Sequence, residues 1–210
     1  MIKVLTWNGV RNWKDFEFAE DGGKRVDIAK LRYTGKSAIY TSARSVLTRA
    51  CNDILAWYPS DNPGLIMIER NQEPAKGQEW CLGGGLTKGD GLESSVRRKF
   101  EEETGLKLED ELILLGHALV SWETTSVPCE LKGSHEYAAV IFGKTKPGQV
   151  RLDETSSKYH IVTPDQFFAN PNKYHPYVRE YMRTAIEIGT GQLRIPEVGS
   201  QFTTQSRTPN

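Results

Sequence analysis

Apolar positions recur along this chain in two periods. Between Leu92 and Thr104 they fall at Leu92, Val96 and Phe100, every fourth residue, which predicts an amphipathic helix stopped by Gly105. HPYVREYMRTAIEIG predicts a second helix, with Val178, Met182 and Ile186 on one face. DQFFANPN and SAIYTSARSVLTRA predict shorter ones; in the latter Ile39, Ala43, Val46 and Leu47 share a side. ACNDILAWY and GLIMIER read as strands joined through the turn cluster Pro59 to Gly64. ELILLGHALVSW and YAAVIFGKT read as two more. MIKVLTW and the alternating KDFEFAE suit strands ahead of the Gly22-Gly23 turn, while Gln72 to Gly85 reads as loop.

Strands and helices mixed in this order predict an α/β or α+β fold, three layers around one sheet. At 210 residues the chain has room for one packed domain with decoration. We divide it into an N-terminal extension (1–36), rich in Trp and Phe, a main domain (37–190) and a polar tail (191–210). The Gly, Ser, Thr and Gln of that tail predict disorder.

Charge narrows the partners. Lys plus Arg and Asp plus Glu both number 27, so no basic surplus recommends nucleic acid or an anionic membrane. No run reaches the roughly 20 apolar residues of a membrane helix, and the N-terminus lacks a signal-peptide core. Cys51, Cys81 and Cys129 are odd in number and lack metal-ligand spacing, so they read as free thiols of a cytoplasmic protein.

The chemistry concentrates in one stretch. The loop GGGLTKGDG runs straight into the Leu92 helix; glycines let backbone N–H groups approach a phosphate at a helix N-terminus. The end of that helix carries Arg98, Glu101, Glu102 and Glu103. Carboxylates there oppose the helix dipole, so stability explains them poorly. A hard divalent cation, Mg²⁺ or Mn²⁺, explains them better.

Loop and helix together follow a long pattern. Gly84 is followed by five residues and Asp90; seven residues later come Arg98, Lys99, Phe100, Glu101, Glu102, Glu103, Thr104, Gly105 and Leu106. This resembles the Nudix box, G-x5-E-x7-R-E-U-x-E-E-x-G-U with U aliphatic. The resemblance implies an α/β/α sandwich with a mixed, curved sheet and a loop–helix–loop that binds metal and diphosphate. It implies hydrolysis of a nucleoside diphosphate linked to another group, with water activated by divalent ions. Glu102 and Glu103 stand at the metal-ligand pair, Arg98 at the arginine that orients the carboxylates, and Gly84 at the glycine nearest the substrate.

Two positions depart from the pattern. Asp90 replaces the first glutamate, keeping a metal-ligand charge on a shorter arm. Lys99 replaces the glutamate after the arginine, often a metal ligand or the general base. With an ordinary pKa near 10.4 a lysine is protonated at pH 7 and does neither. Lys99 instead suits the place of a lost metal or a substrate phosphate, and fewer ions are expected.

The GDP-mannose mannosyl hydrolase branch also lacks that glutamate. Arg70-Asn-Gln-Glu-Pro-Ala-Lys-Gly77 with Trp80, then Asp153-Glu154, Tyr159 and Thr163-Pro164-Asp165, resemble its runs over roughly residues 40–185. The resemblance implies a nucleoside diphosphate sugar such as GDP-mannose as substrate, Arg70 as a diphosphate-binding residue and a possible homodimer. Ser156 stands where that branch has its histidine base, and a serine without an activating partner is a poor one. Glu154 is therefore the first candidate base, with His160 and His135 as alternatives. A weakly active or inactive nucleotide-binding module on the same fold is the alternative to an enzyme.

Overall fold

The structure is a computed structural model that describes residues 2–6, 9–12, 43, 46–125, 133–153 and 156–195. Its strands are β1 (Ile2–Thr6), β2 (Gly9–Asn12), β3 (Arg49–Tyr58), β4 (Gly64–Arg70), β5 (Glu79–Trp80), β6 (Leu82–Gly85), β7 (Leu108–Trp122), β8 (Ser134–Thr145) and β9 (Ser156–Val162). Its helices are α1 (Leu92–Thr104), α2 (Pro164–Ala169) and α3 (Pro176–Gly189), with a 3-10 turn at Pro171–Lys173.

All nine strands join one mixed sheet: seven run in the order β2-β1-β7-β8-β3-β4-β5, while β6 pairs with β3 and β9 with β4 off that path. β3 is its centre. It runs parallel to β8 from Arg49↔Glu136 to Trp57↔Lys144 on one side. On the other it is shared: β6 takes its first half (Cys51↔Gly85 to Ile54↔Leu82) and β4 its second (Ala56↔Ile66 to Tyr58↔Gly64). β4 and β6 thus fork apart along β3.

Alternation on β3 builds the layers, because successive side chains point to opposite faces. On one face Asn52 donates through Nδ2 to Ser95 Oγ of α1 at 2.9 Å. On the other, Asp53 accepts from the Tyr177 hydroxyl of α3 at 2.5 Å. The sheet is therefore held between α1 and α3, the α/β/α arrangement expected. Ile54, Leu65, Ile66, Leu82, Phe100, Leu112, Ile141, Phe142 and Met182 are buried in the core around it. The four-residue repeat of α1 is buried as expected, and Gly105 closes the helix at φ 69°, its N–H donating to the Glu101 carbonyl.

Several expectations change. Gln72 to Gly85 is not all loop: β5 pairs with β4 and β6 with β3. β9 went unread because Lys158, Tyr159 and His160 are exposed along a strand that pairs with β4 alone, so no apolar alternation marks it. β1 extends the sheet by pairing parallel to β7 (Ile2↔Leu112), which ties the N-terminal extension to the main domain. KDFEFAE, Cys129, Glu154 and the tail from 196 on lie outside the described residues, as does most of SAIYTSARSVLTRA. No helix among the described residues is long and apolar enough to cross a membrane.

Candidate functional site

The glycine run of β6 lies where the fork opens. Gly83 faces Asp53 across the strand pair with φ +137°, and a Cβ there would stand 2.2 Å from the Asn52 carbonyl oxygen. Only glycine fits. The bare strand lets α1 reach the sheet. Gly83 N–H donates to Glu103 Oε2 at 3.0 Å, and the Lys99 stem passes 3.7 Å from where a Gly84 Cβ would lie.

Arg98 forks between two carboxylates. Its guanidinium donates to Asp90 Oδ2 at 2.7 Å and to both oxygens of Glu102 at 3.0 and 3.1 Å. Asp90 also accepts from the Thr87 N–H at 3.2 Å and from the Thr87 hydroxyl. Burial raises its pKa, but the Thr87 bonds and Arg98 outweigh that and hold it below the ordinary carboxylate range. Asp90, expected as a metal ligand, is instead turned into its own loop and does not line the cleft. The shorter aspartate arm is spent on Thr87 and Arg98.

Glu102 and Glu103 differ in surroundings. Glu103 is buried, and desolvation pushes its carboxyl up to about 7 against the lowering by Gly83 N–H and Lys99. The charge of Asp153 raises it further. Glu102 is exposed, with Lys99 Nζ 3.4 Å from its Oε2. Lys99 thus stands between the two glutamates as a cation already in place. Among the described residues no group of three or more His, Cys, Asp or Glu is placed to hold a metal ion.

Beyond Gly83 and Lys99 a cleft of about 180 Å³ opens across the sheet face that α3 covers. Alternate strand residues line it: Arg49, Cys51 and Asp53 from β3, Glu136 and Ala138 from β8, Val120 and Trp122 from β7. Arg70 lines it too. His135 is bonded through Nδ1 to Thr48 Oγ1 at 2.7 Å, and His160 is exposed on β9; neither lines the cleft.

Asp53 was not foreseen. It opens on the cleft yet is enclosed by protein, and burial raises its pKa to about 6 despite the Tyr177 hydrogen bond. Glu136 adds to the rise, while Arg70 and Arg49 oppose it. Trp80 packs at 5.3 Å from Trp122, 5.4 Å from His175 and 5.6 Å from Tyr177, an aromatic wall beside the carboxylate. The one available signal was a carboxylate inside a mostly apolar strand.

A mixed sheet between helices, with a glycine strand feeding a carboxylate helix, defines the Nudix fold. The NUDIX domain family matches residues 53–184, and the chain belongs to that family. No curated relative matches the chain. Solved structures with the fold include the NUDIX domain of Shewanella oneidensis NrtR complexed with ADP ribose, 13% identical, TM-score 0.52, covering 80% of this chain and 99% of that one. A MutT NUDIX hydrolase from Burkholderia pseudomallei is 23% identical over 65% of this chain and 97% of its own (TM-score 0.47). A MutT/nudix family protein from Enterococcus faecalis is 14% identical over 70% of this chain (TM-score 0.46), and the chain spans 57% of its length.

Proposed function

We propose that the cleft binds and hydrolyses a nucleoside diphosphate linked to a further group, with nucleoside diphosphate sugars such as GDP-mannose as the candidate substrates. The observation that carries this reading is the convergence of Arg70, Lys99 and the glycine strand on one cleft with Glu103. A guanidinium, an ammonium and bare backbone suit a diphosphate. Gly84 lets the phosphates approach, Arg70 and Lys99 face their charge, and Arg98 orients Glu102.

Members of the family generally use divalent metal ions. The residues present fit a reduced site. Mg²⁺ commonly keeps several waters and takes only one or two carboxylates plus substrate phosphate. Glu103, buried and short of compensating charge, and Glu102, after exchanging its partners Arg98 and Lys99, would hold such an ion (Mg²⁺ or Mn²⁺). When bound it would polarise a phosphoryl oxygen or activate water. Glu154, outside the described residues, is the proposed base; its neighbour Asp153 acts electrostatically on Glu103. A second reading, ligand binding without turnover, is favoured by the Lys99–Glu102 ion pair, which already answers one carboxylate with a fixed cation.

The test is turnover. The protein is incubated with Mg²⁺ or Mn²⁺ and GDP-mannose, UDP-glucose, ADP-ribose or nucleoside triphosphates, and phosphate released through a coupled phosphatase is followed. Turnover of a sugar derivative supports the first reading. Binding of one without turnover moves the conclusion to the second, and neither binding nor turnover refutes both.

A further inference from the structure

Three buried polar atoms in the cleft wall have no hydrogen-bond partner in the protein: Arg70 Nε, Trp122 Nε1 and Ser156 Oγ. They come from three strands, yet the fold gathers them. Arg70 and Ser156 are register partners across β4 and β9, beside the bulge at Glu69/Arg70 that re-aims the strand end. Ser156 is only 8% exposed. A buried donor without an acceptor is costly, so three in one wall call for a ligand that answers them.

Their chemistry says which. The Arg70 and Trp122 nitrogens donate only, and the serine hydroxyl does both. Asp53, on the same cleft, only accepts, and Tyr177 satisfies its Oδ2 alone. A phosphoryl group would satisfy the donors but meet the carboxylates of Asp53 and Glu136 as like charges. A hydroxyl accepts from one side and donates to the other, and a sugar ring adds a C–H face for the Trp80–Trp122 wall.

We propose that this wall is a subsite for a polyhydroxyl group, the sugar or ribosyl unit attached to the diphosphate, with Trp122 and Ser156 donating, Asp53 accepting, and Arg70 at its border, Nε toward the sugar and the terminal guanidinium nitrogens toward the diphosphate. The subsite rests on the reading of the cleft as a nucleoside diphosphate site and adds which end of the ligand lies where. Ser156, at the position of a base in the resembling branch, is then a specificity residue that touches the sugar.

The experiment is calorimetric titration of the full chain with GDP and GDP-mannose, and with ADP and ADP-ribose, in EDTA and again with Ca²⁺. Trp122→Phe removes the indole N–H and keeps a ring; Ser156→Ala removes the hydroxyl. Each variant should bind the sugar-bearing compound about tenfold more weakly, one ligand hydrogen bond, and the plain diphosphate unchanged. Equal losses for both members of a pair would place the shared nucleoside diphosphate, its own ribose or its phosphates, at the wall and overturn the proposal, as would no loss for either. If wild type binds none of the four, the reading of the cleft itself has failed and the subsite with it. Thermal melts check folding; should Trp122→Phe be unfolded, Ser156→Ala alone decides.

Discussion

Replacing Asp53 with asparagine isolates the charge at the cleft floor. Asparagine keeps an oxygen for the Tyr177 hydroxyl and nearly the same volume, so the change removes the ionisation and little else. Burial raises the Asp53 carboxyl from 3.8 to about 6, so between those values the folded protein holds a proton that the unfolded chain has released. Stability then falls as pH rises through this window, because the folded state binds more protons than the unfolded one. The span of about 2 pH units at 1.36 kcal/mol each corresponds to roughly 3 kcal/mol, an upper figure because the cleft admits water to the group. Glu103, pushed up to about 7, contributes in the same direction, but its share is common to both proteins and drops out of the difference.

The assay is urea unfolding of wild type and Asp53→Asn at pH 4, 5, 6, 7 and 8. The expected difference is small at pH 4 and grows in favour of the variant to a plateau of about 2–3 kcal/mol above pH 7. A difference that stays flat would show that Asp53 titrates alike in both states. A variant that loses ground as pH rises would show that Arg49 and Arg70 stabilise the carboxylate more than burial opposes it. Either result refutes the reasoning. If the charge serves a ligand, the stabilised variant should also bind sugar derivatives less well, the familiar exchange of stability for function.

Three further perturbations address the box. Arg98→Ala leaves Asp90, whose side chain is 4% exposed, without its 2.7 Å partner; we expect a loss of about 2–3 kcal/mol in urea unfolding, and a change under about 0.5 kcal/mol would refute the structural role. Glu103→Gln should weaken Mn²⁺ binding at least tenfold by electron paramagnetic resonance titration while raising stability at pH 8, and unchanged binding would remove Glu103 from the ligand set. Lys99→Glu brings a third carboxylate beside Glu102 and Glu103, so Mn²⁺ affinity should rise about tenfold and GDP binding in EDTA should weaken; stronger GDP binding without metal would show that the ammonium does not face phosphate.

The box was legible because its chemistry is contiguous. A four-residue repeat buries α1 on the sheet, and that burial carries Glu103 inward to Gly83 with it. What a spacing pattern does not convey is how carboxylates share partners: Asp90 and Glu102 occupy similar places in the pattern, but Thr87 turns the first into the loop while Arg98 and Lys99 hold the second at the surface. The cleft wall was illegible for another reason. Asp53 and Tyr177 are 124 residues apart, and Trp122, Ser156 and Arg70 lie on three different strands, so only the strand register brings them together. β9, which carries Ser156, exposes polar side chains and shows no period. Yet β3 held a trace of the site. Its central position in the sheet requires both faces to be covered, and a strand covered on both faces tolerates a carboxylate only where something compensates it. Asn52 and Asp53, adjacent and on opposite faces, are compensated by Ser95 and Tyr177, one helix on each side. The polar pair in an apolar strand thus marks both the point where α1 docks and the point where the cleft begins.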